Sequence, residues 1–225
     1  ELHVFSDASQ VAYGAVAYLR CANKMGELSV RLVVAKSKVA PIKPVTIPRL
    51  ELQAVVLAAK LDSTLRSELR LDLARSSFWV DSEIVLCYLA NCSRRFQTFV
   101  ANRVSAIQEL TDLDQWNFVP GHVNPADLIT RGKVMSPEEK RRWFDGPEFL
   151  WRHKSEWPTV KKAAEVQVPV DDPEVRSRPC FATKVSEDRL SDIFARRSSW
   201  YSLKRTLVWL CRFFKFLSCK NVPDR

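Results

Sequence analysis

The chain of 225 residues is 46% hydrophobic and 10% aromatic, enough to bury the core of one large domain, or of an ordinary domain with an appendage. A net charge of +9 points to a polyanionic partner, nucleic acid ahead of an anionic membrane surface. No apolar run is long enough to span a bilayer and nothing resembles a signal peptide. Cys21, Cys87, Cys92, Cys180, Cys211 and Cys219 form no C-x-x-C pair and are joined by only three histidines, which argues against a local zinc site or a disulfide scaffold and for reduced thiols.

The opening stretch, Leu2-His3-Val4-Phe5-Ser6-Asp7-Ala8-Ser9, reads as an apolar strand that delivers a carboxylate at its tip. A strand tip is a rigid place for a metal or acid/base group, although Asp-Ala-Ser is also ordinary turn chemistry. Residues 11–20 and 28–38 form two further β-prone runs around Lys24-Met25-Gly26, so three early antiparallel strands are predicted. A proline-marked loop runs from Pro41 to Pro48. From Arg49 the spacing is helical, with Leu50, Ala54, Leu57 and Leu61 on one stripe. That places Glu51 in the first helical turn, where a favourable charge at the positive helix end is one reading and a functional carboxylate the other.

Ser77-Phe78-Trp79-Val80-Asp81-Ser82 repeats the opening theme and leads into a helix over 83–91 with Ser82 as its cap. A helix is predicted for about 98–113, then a strand over 115–120, then a turn into a short helix capped by Asn124 with Pro125 at its first position and Asp127 in its first turn. Strands followed by helices in this alternation predict an α/β domain with a mixed sheet. Ser136 to Phe144 reads as a capped short helix, and Leu150, Trp151 and Trp157 as apolar anchors. The expected domains are 1–135, an extension over 136–158 packing on it, a linker over 159–185, and a basic aromatic helical segment over 186–225. In the last, Trp200, Leu203, Leu207, Leu210, Cys211, Phe214 and Leu217 form a stripe flanked by Arg196, Arg197, Lys204, Arg205, Arg212 and Lys215.

Four acids thus stand at the edges of regular elements: Asp7, Glu51, Asp81 and Asp127. Phe5-Ser6-Asp7-Ala8-Ser9, Ile47 to Ala54, Trp79-Val80-Asp81-Ser82, and Val119-Pro120-Gly121-His122-Val123-Asn124-Pro125-Ala126-Asp127 through Arg131-Gly132 resemble the ribonuclease H domain of BEL/Pao-type LTR retrotransposon polyproteins. The likeness covers about Glu1 to Arg152. It implies a ribonuclease H-like fold: a mixed five-stranded sheet with strands 1–3 antiparallel, flanked by helices, plus a C-terminal helical extension. It also implies a metal-dependent endonuclease that hydrolyses the RNA strand of RNA/DNA hybrids, leaving a 3′-hydroxyl and a 5′-phosphate.

Carboxylates suit that chemistry because two hard cations about 4 Å apart activate water and stabilise both attacking and leaving oxygens. The resemblance assigns Asp7 to both Mg²⁺ ions, Glu51 and Asp81 to one and Asp127 to the other, with Mn²⁺ able to substitute. His122 matches a mobile histidine of the cellular enzymes in a shorter loop, with a turn residue as the equal alternative. Ser9, Lys36, Lys38, Arg49, Ser82 and Arg131 are candidate nucleic-acid contacts, as are Arg94, Arg95 and Arg103, against a default of solvated charge. Arg131 alternatively satisfies helix-end carbonyls. Glu83 adds negative charge where many relatives are neutral.

The stretch around Ser198-Ser199-Trp200 resembles the segment before the integrase zinc-binding region of such polyproteins. With Glu1 in place of an initiator methionine, the chain is expected to be a piece of a longer product, beside reverse transcriptase and integrase regions. A cytoplasmic location is expected, in virus-like particles or in the nucleus, with no membrane partner. The alternative function is a catalytically inactive nucleic-acid-binding or scaffold fragment.

Overall fold

The computed structural model describes residues 1–91, 95–158, 168–169, 171–176 and 199–220, with the backbone alone at 202–203 and 217–220. Arg94, Cys92, Cys180, Arg196, Arg197, and the side chains of Leu203, Leu217 and Cys219 lie outside the described residues.

β1 (Leu2–Ala8), β2 (Ala12–Ala22) and β3 (Leu28–Val39) form the expected antiparallel meander. The β2–β3 turn closes on Gly26, whose φ of +84° needs a residue without Cβ, while the Asn23 Oδ1 accepts the Met25 and Glu27 amides. β4 (Ser77–Val80) then runs parallel to β1, and β5 (Trp116–Phe118) parallel to β4, giving the order β3-β2-β1-β4-β5. Parallel neighbours require crossovers. α1 (Ile47–Glu68) supplies the first, and α2 (Glu83–Ala90) with α3 (Thr98–Gln108) the second.

Two boundaries differ from the sequence-based expectation. α1 begins at Ile47 because Pro48, which lacks an N–H, fits a first-turn position where no helical bond is due, and the Arg49 and Leu50 amides already donate to the Thr46 carbonyl. Glu51 therefore lies past the first turn, and no acidic residue occupies that turn. α3 stops at Gln108, short of residue 113, although the Thr111 amide and hydroxyl still donate to the Ile107 carbonyl. Leu110 is left exposed.

The sheet buries both faces. On one, Val4, Ala17, Phe78 and Val80 meet Leu52, Val55 and Ala58 of α1 and the apolar sides of α2 and α3. On the other, Phe5, Val16, Tyr18, Val30 and Trp79 pack with Phe149 and Leu150. That second layer comes largely from beyond residue 135. α4 (Asp127–Thr130) is followed by α5 (Pro137–Asp145), which opens on the predicted capping box between Ser136 and Glu139. Tyr18 Oη donates to the Trp143 carbonyl at 2.8 Å, Arg20 Nε donates to the Leu150 carbonyl at 2.8 Å, and Trp157 sets its edge against Trp79 at 5.6 Å between ring centroids.

One compact unit runs over Glu1–Ser177 and takes in the extension over 136–158 expected to pack on 1–135. The stretch read as a linker, 159–185, is partly docked: Val168 is buried in the first core, and Val175 bridges Phe96. The signal was missed because that stretch has no periodicity to read. The second unit, Arg178–Arg225, contains α6 (Trp200–Lys220), on which Trp209, Phe213 and Phe214 are exposed and Arg212 lies over the Trp209 ring. No described helix is long and apolar enough to cross a membrane.

A fragment ending at residue 135 would leave Phe5, Tyr18 and Trp79 uncovered, and losing one buried large aromatic such as Phe149 alone costs about 3–5 kcal/mol. Chemical denaturation followed by circular dichroism is expected to give a cooperative transition for residues 1–177 and none for 1–135; a fully stable 1–135 would contradict this packing.

Candidate active site

The site starts from strand alternation. Successive side chains of a strand face opposite ways, and the parallel register pairs Phe5 with Trp79 and Ser6 with Val80. Phe5 and Trp79 stack 5.9 Å apart on the second face. Asp7 and Asp81, each two residues further on, emerge from that same face at adjoining strand ends. The ladder thus brings two carboxylates together without any loop having to position them.

Glu51 joins them from α1. Its Oε2 accepts from Ser82 Oγ at 2.5 Å, so the Ser82 hydroxyl, expected to cap α2, orients Glu51 and makes no cap bond. Asp127 arrives on α4, which lies against β2 at a glycine: a Cβ on Gly14 would stand 2.4 Å from Ile129 Cδ1, and Gly14 is the partner of Asp7 across the β1–β2 ladder. A side chain at 14 would force the Ile129 side chain to move and would press on the Lys36 carbonyl at 3.2 Å.

Asn124 does not cap α4. Its Nδ2 donates to the Ser6 carbonyl at 3.0 Å and its Oδ1 accepts from the Ala126 amide at 3.1 Å, pinning the turn to β1, while the cap position falls on Ala126. Thr130 donates its hydroxyl to Asp7, and Arg131 Nε donates to Asp127 Oδ1 at 2.7 Å. Asn124 and Thr130 were legible only as turn or helix residues and Gly14 only as part of a strand, since their roles depend on contacts more than a hundred residues apart in the chain.

The electrostatics follow from burying like charges. Asp81 is pushed up to about 7, first by burial, then by the Asp7 charge, against a hydrogen bond from Asn124 that favours its ionised form, with Glu51 adding to the rise. Burial likewise raises Asp7, opposed by the Thr130 hydrogen bond and helped by Asp127. Glu51 is raised by burial, opposed by Ser82 and helped by Asp7. Each of these three acids feels another, and Asp127 acts on Asp7. An all-oxygen donor set of this kind suits a hard divalent cation, which would relieve the mutual repulsion. As they stand, the side chains are turned to protein partners, and among the described residues no three His, Cys, Asp or Glu groups converge as a metal cage.

The other predicted residues fall elsewhere. The exposed His122 sits in the Gly121–Val123 turn, its carbonyl accepting from Arg142 Nη2 at 2.6 Å, and lines a cavity of about 830 Å³ with Arg31, Arg142 and Trp151 that none of the four acids touches. The preceding Gly121 does abut the acids: a Cβ there would be 3.2 Å from Asp81 Oδ2. Ser9 spends its hydroxyl on the Thr130 carbonyl at 2.8 Å. Arg131 pairs with Asp127 instead of helix-end carbonyls. Lys36 and Lys38 stand exposed on β3, Arg95 is exposed before α3, and Glu83 is exposed in the first turn of α2. Arg103 lies 3.4 Å over the Phe99 ring, and Arg49 is ion-paired with Glu174.

A five-stranded sheet of this order, with acids at the ends of β1 and β4 and on α1, has the ribonuclease H-like architecture. Residues 1–82 match the family described as "Pao retrotransposon-like RNaseH-like domain". The matched stretch holds Asp7, Glu51 and Asp81. Among solved structures, the chain is similar to ribonuclease H1 from the halophilic archaeon Halobacterium salinarum, at 18% identity over 56% of this chain and 89% of that one, with a TM-score of 0.39. LC11-RNase H1, isolated from compost by a metagenomic approach and solved in complex with an RNA/DNA hybrid, matches at 13% identity over 57% and 92%, with a TM-score of 0.41. The N-terminal ribonuclease H domain of a Mycobacterium tuberculosis protein matches at 14% over 57% and 90%, with a TM-score of 0.39. Comparison with curated proteins gives no match.

Because Asp7, Glu51 and Asp81 hold protons more tightly folded than unfolded, their contribution to stability is fully present below the unfolded carboxylate pKa near 4 and is lost as pH rises toward about 7. With divalent ions chelated, the melting temperature should fall between pH 5 and 8, and Asp81→Asn should stabilise the protein at pH 8 by about 1–3 kcal/mol. A flat pH profile, or destabilisation by Asp81→Asn at pH 8, would contradict the clustering.

Proposed function

We propose that the protein is a divalent-metal-dependent ribonuclease H that hydrolyses the RNA strand of RNA/DNA hybrids as part of a retrotransposon reverse-transcription polyprotein. The observation that carries this reading is the arrangement of β1, α1 and β4, which brings Asp7, Glu51 and Asp81 near enough that the Asp7 charge acts on both Glu51 and Asp81. Asp7, Glu51, Asp81 and Asp127 would hold two Mg²⁺ ions, or Mn²⁺ in their place. When bound, such ions supply an activated water and charge stabilisation at the phosphodiester.

The chain's own residues do the positioning. Ser82 sets the Glu51 carboxylate and Thr130 sets that of Asp7. Arg131, whose Nε donates to Asp127, would offer its guanidinium fork to a substrate phosphate. His122, exposed in the turn after Gly121, would serve as a proton carrier, and Lys36 and Lys38 would neutralise backbone phosphates. The neighbouring partners in this reading are reverse transcriptase and integrase regions, and the location is the cytoplasm, virus-like particles or the nucleus.

A second reading, an inactive nucleic-acid-binding fragment, is favoured by one observation, the lack of a converged three-ligand cage among the described residues. Incubation of the full chain with a labelled RNA/DNA hybrid in Mg²⁺ or Mn²⁺ separates the two. Hydrolysis of the RNA strand, lowered at least about a hundredfold by Asp7→Asn or Asp81→Asn, is expected; binding without cleavage in either metal would establish the inactive reading.

A further inference from the structure

Arg49 stands two residues before Glu51 on α1, and its guanidinium is held in two prongs by Glu174: Nε donates to Oε1 at 2.6 Å and Nη2 to Oε2 at 2.9 Å. The Phe99 ring lies beneath that guanidinium at 4.9 Å, and Arg103 covers the same ring. Glu174 is 5% exposed, although carboxylates are rarely buried without a full partner. It belongs to a short segment, 171–176, rich in acid: Asp171, Asp172 and Glu174 in a chain of net charge +9.

The segment is fastened along the start of α3 and the flank of α2. The Glu174 carbonyl accepts from the Gln97 amide at 2.7 Å, and the Arg176 amide donates to the Arg95 carbonyl at 2.8 Å. Tyr88 Oη donates to the Asp172 carboxylate at 3.0 Å, and Arg176 Nη2 donates to Thr98 Oγ1 at 2.7 Å. An acidic segment is thus laid over a surface that carries Arg49, Arg95 and Arg103.

A guanidinium fork takes a carboxylate and a phosphate by the same bidentate geometry. We propose that residues 171–176 are an internal competitor for nucleic acid, with the Glu174 carboxylate filling a phosphodiester-binding position at Arg49 that a bound strand must take by displacing the segment. This rests on the nucleic-acid reading above and adds regulation to it: affinity for a hybrid is set by how readily the segment leaves. Linkage makes the effect reciprocal, so that nucleic acid must loosen the segment as much as the segment weakens nucleic acid.

The test uses the full chain, a short fluorescent RNA/DNA hybrid, and chelator to prevent turnover. Fluorescence anisotropy should show Glu174→Gln binding about three- to tenfold tighter than the unaltered protein at low salt. Arg49→Gln should bind more weakly and abolish that gain in the double variant. In the unaltered protein, which needs no variant to fold, added hybrid should speed hydrogen exchange at the Gln97 and Arg176 amides. Unchanged or weaker binding by Glu174→Gln, or unchanged or slower exchange at those amides with the hybrid bound, overturns the proposal. The two readings fail separately: hybrid binding without cleavage in metal sinks the nuclease and leaves the competitor, whereas cleavage with unaltered exchange does the reverse. Absence of hybrid binding sinks both.

Discussion

The parallel ladder between β1 and β4 is the constraint on which the rest depends. It fixes Phe5 against Trp79 and, two residues later, Asp7 beside Asp81. A slip of one residue would send one carboxylate to the opposite face, into the core formed by Val4, Phe78 and α1. The stacked aromatic pair and its cover of Phe149 and Trp157 make such a slip costly. The residues that hold the register therefore include ones far along the chain, beyond the stretch in which the acids themselves lie.

That arrangement places repulsion at the tip of a well-packed sheet. Burial and mutual charge raise Asp7, Glu51 and Asp81, and the protein offsets this with hydrogen bonds: Thr130 and the Ala8 backbone to Asp7, Ser82 to Glu51, and Asn124 and its own backbone to Asp81. Arg131 is ion-paired with Asp127. Each side-chain partner is a short polar group or a flexible guanidinium, able to yield its carboxylate to a cation with little movement of backbone. A site strained by like charge and supported by a rigid ladder is a common trade of stability for function.

Much of this was legible in the amino-acid order. Apolar runs ending in Asp-Ala-Ser and Asp-Ser mark strand tips, and the alternation in 28–38 marks a hairpin partner, because local pattern dictates those features. Glu51 was correctly placed on a helix, but its depth along it depended on Pro48 at the helix start, which admitted a longer α1. Ser82 read as a cap because local chemistry favours one; it does stand at the cap position of α2, but its hydroxyl accepts from no helix amide and donates to the Glu51 carboxylate, 31 positions earlier. The docking of 171–176 was not legible at all, since its partners Arg49, Tyr88 and Gln97 are distant in sequence and the segment carries no hydrophobic period.

In the proposed function, Asp7, Glu51, Asp81 and Asp127, from β1, α1, β4 and α4, together hold divalent cations. Titration of the full chain with Mn²⁺ at neutral pH, followed by calorimetry and by the electron paramagnetic resonance of the free ion, tests it most directly. The account predicts two ions bound per chain, with Asp7→Asn removing both and Asp127→Asn only one. Absence of Mn²⁺ binding, or binding that survives Asp7→Asn undiminished, would contradict it.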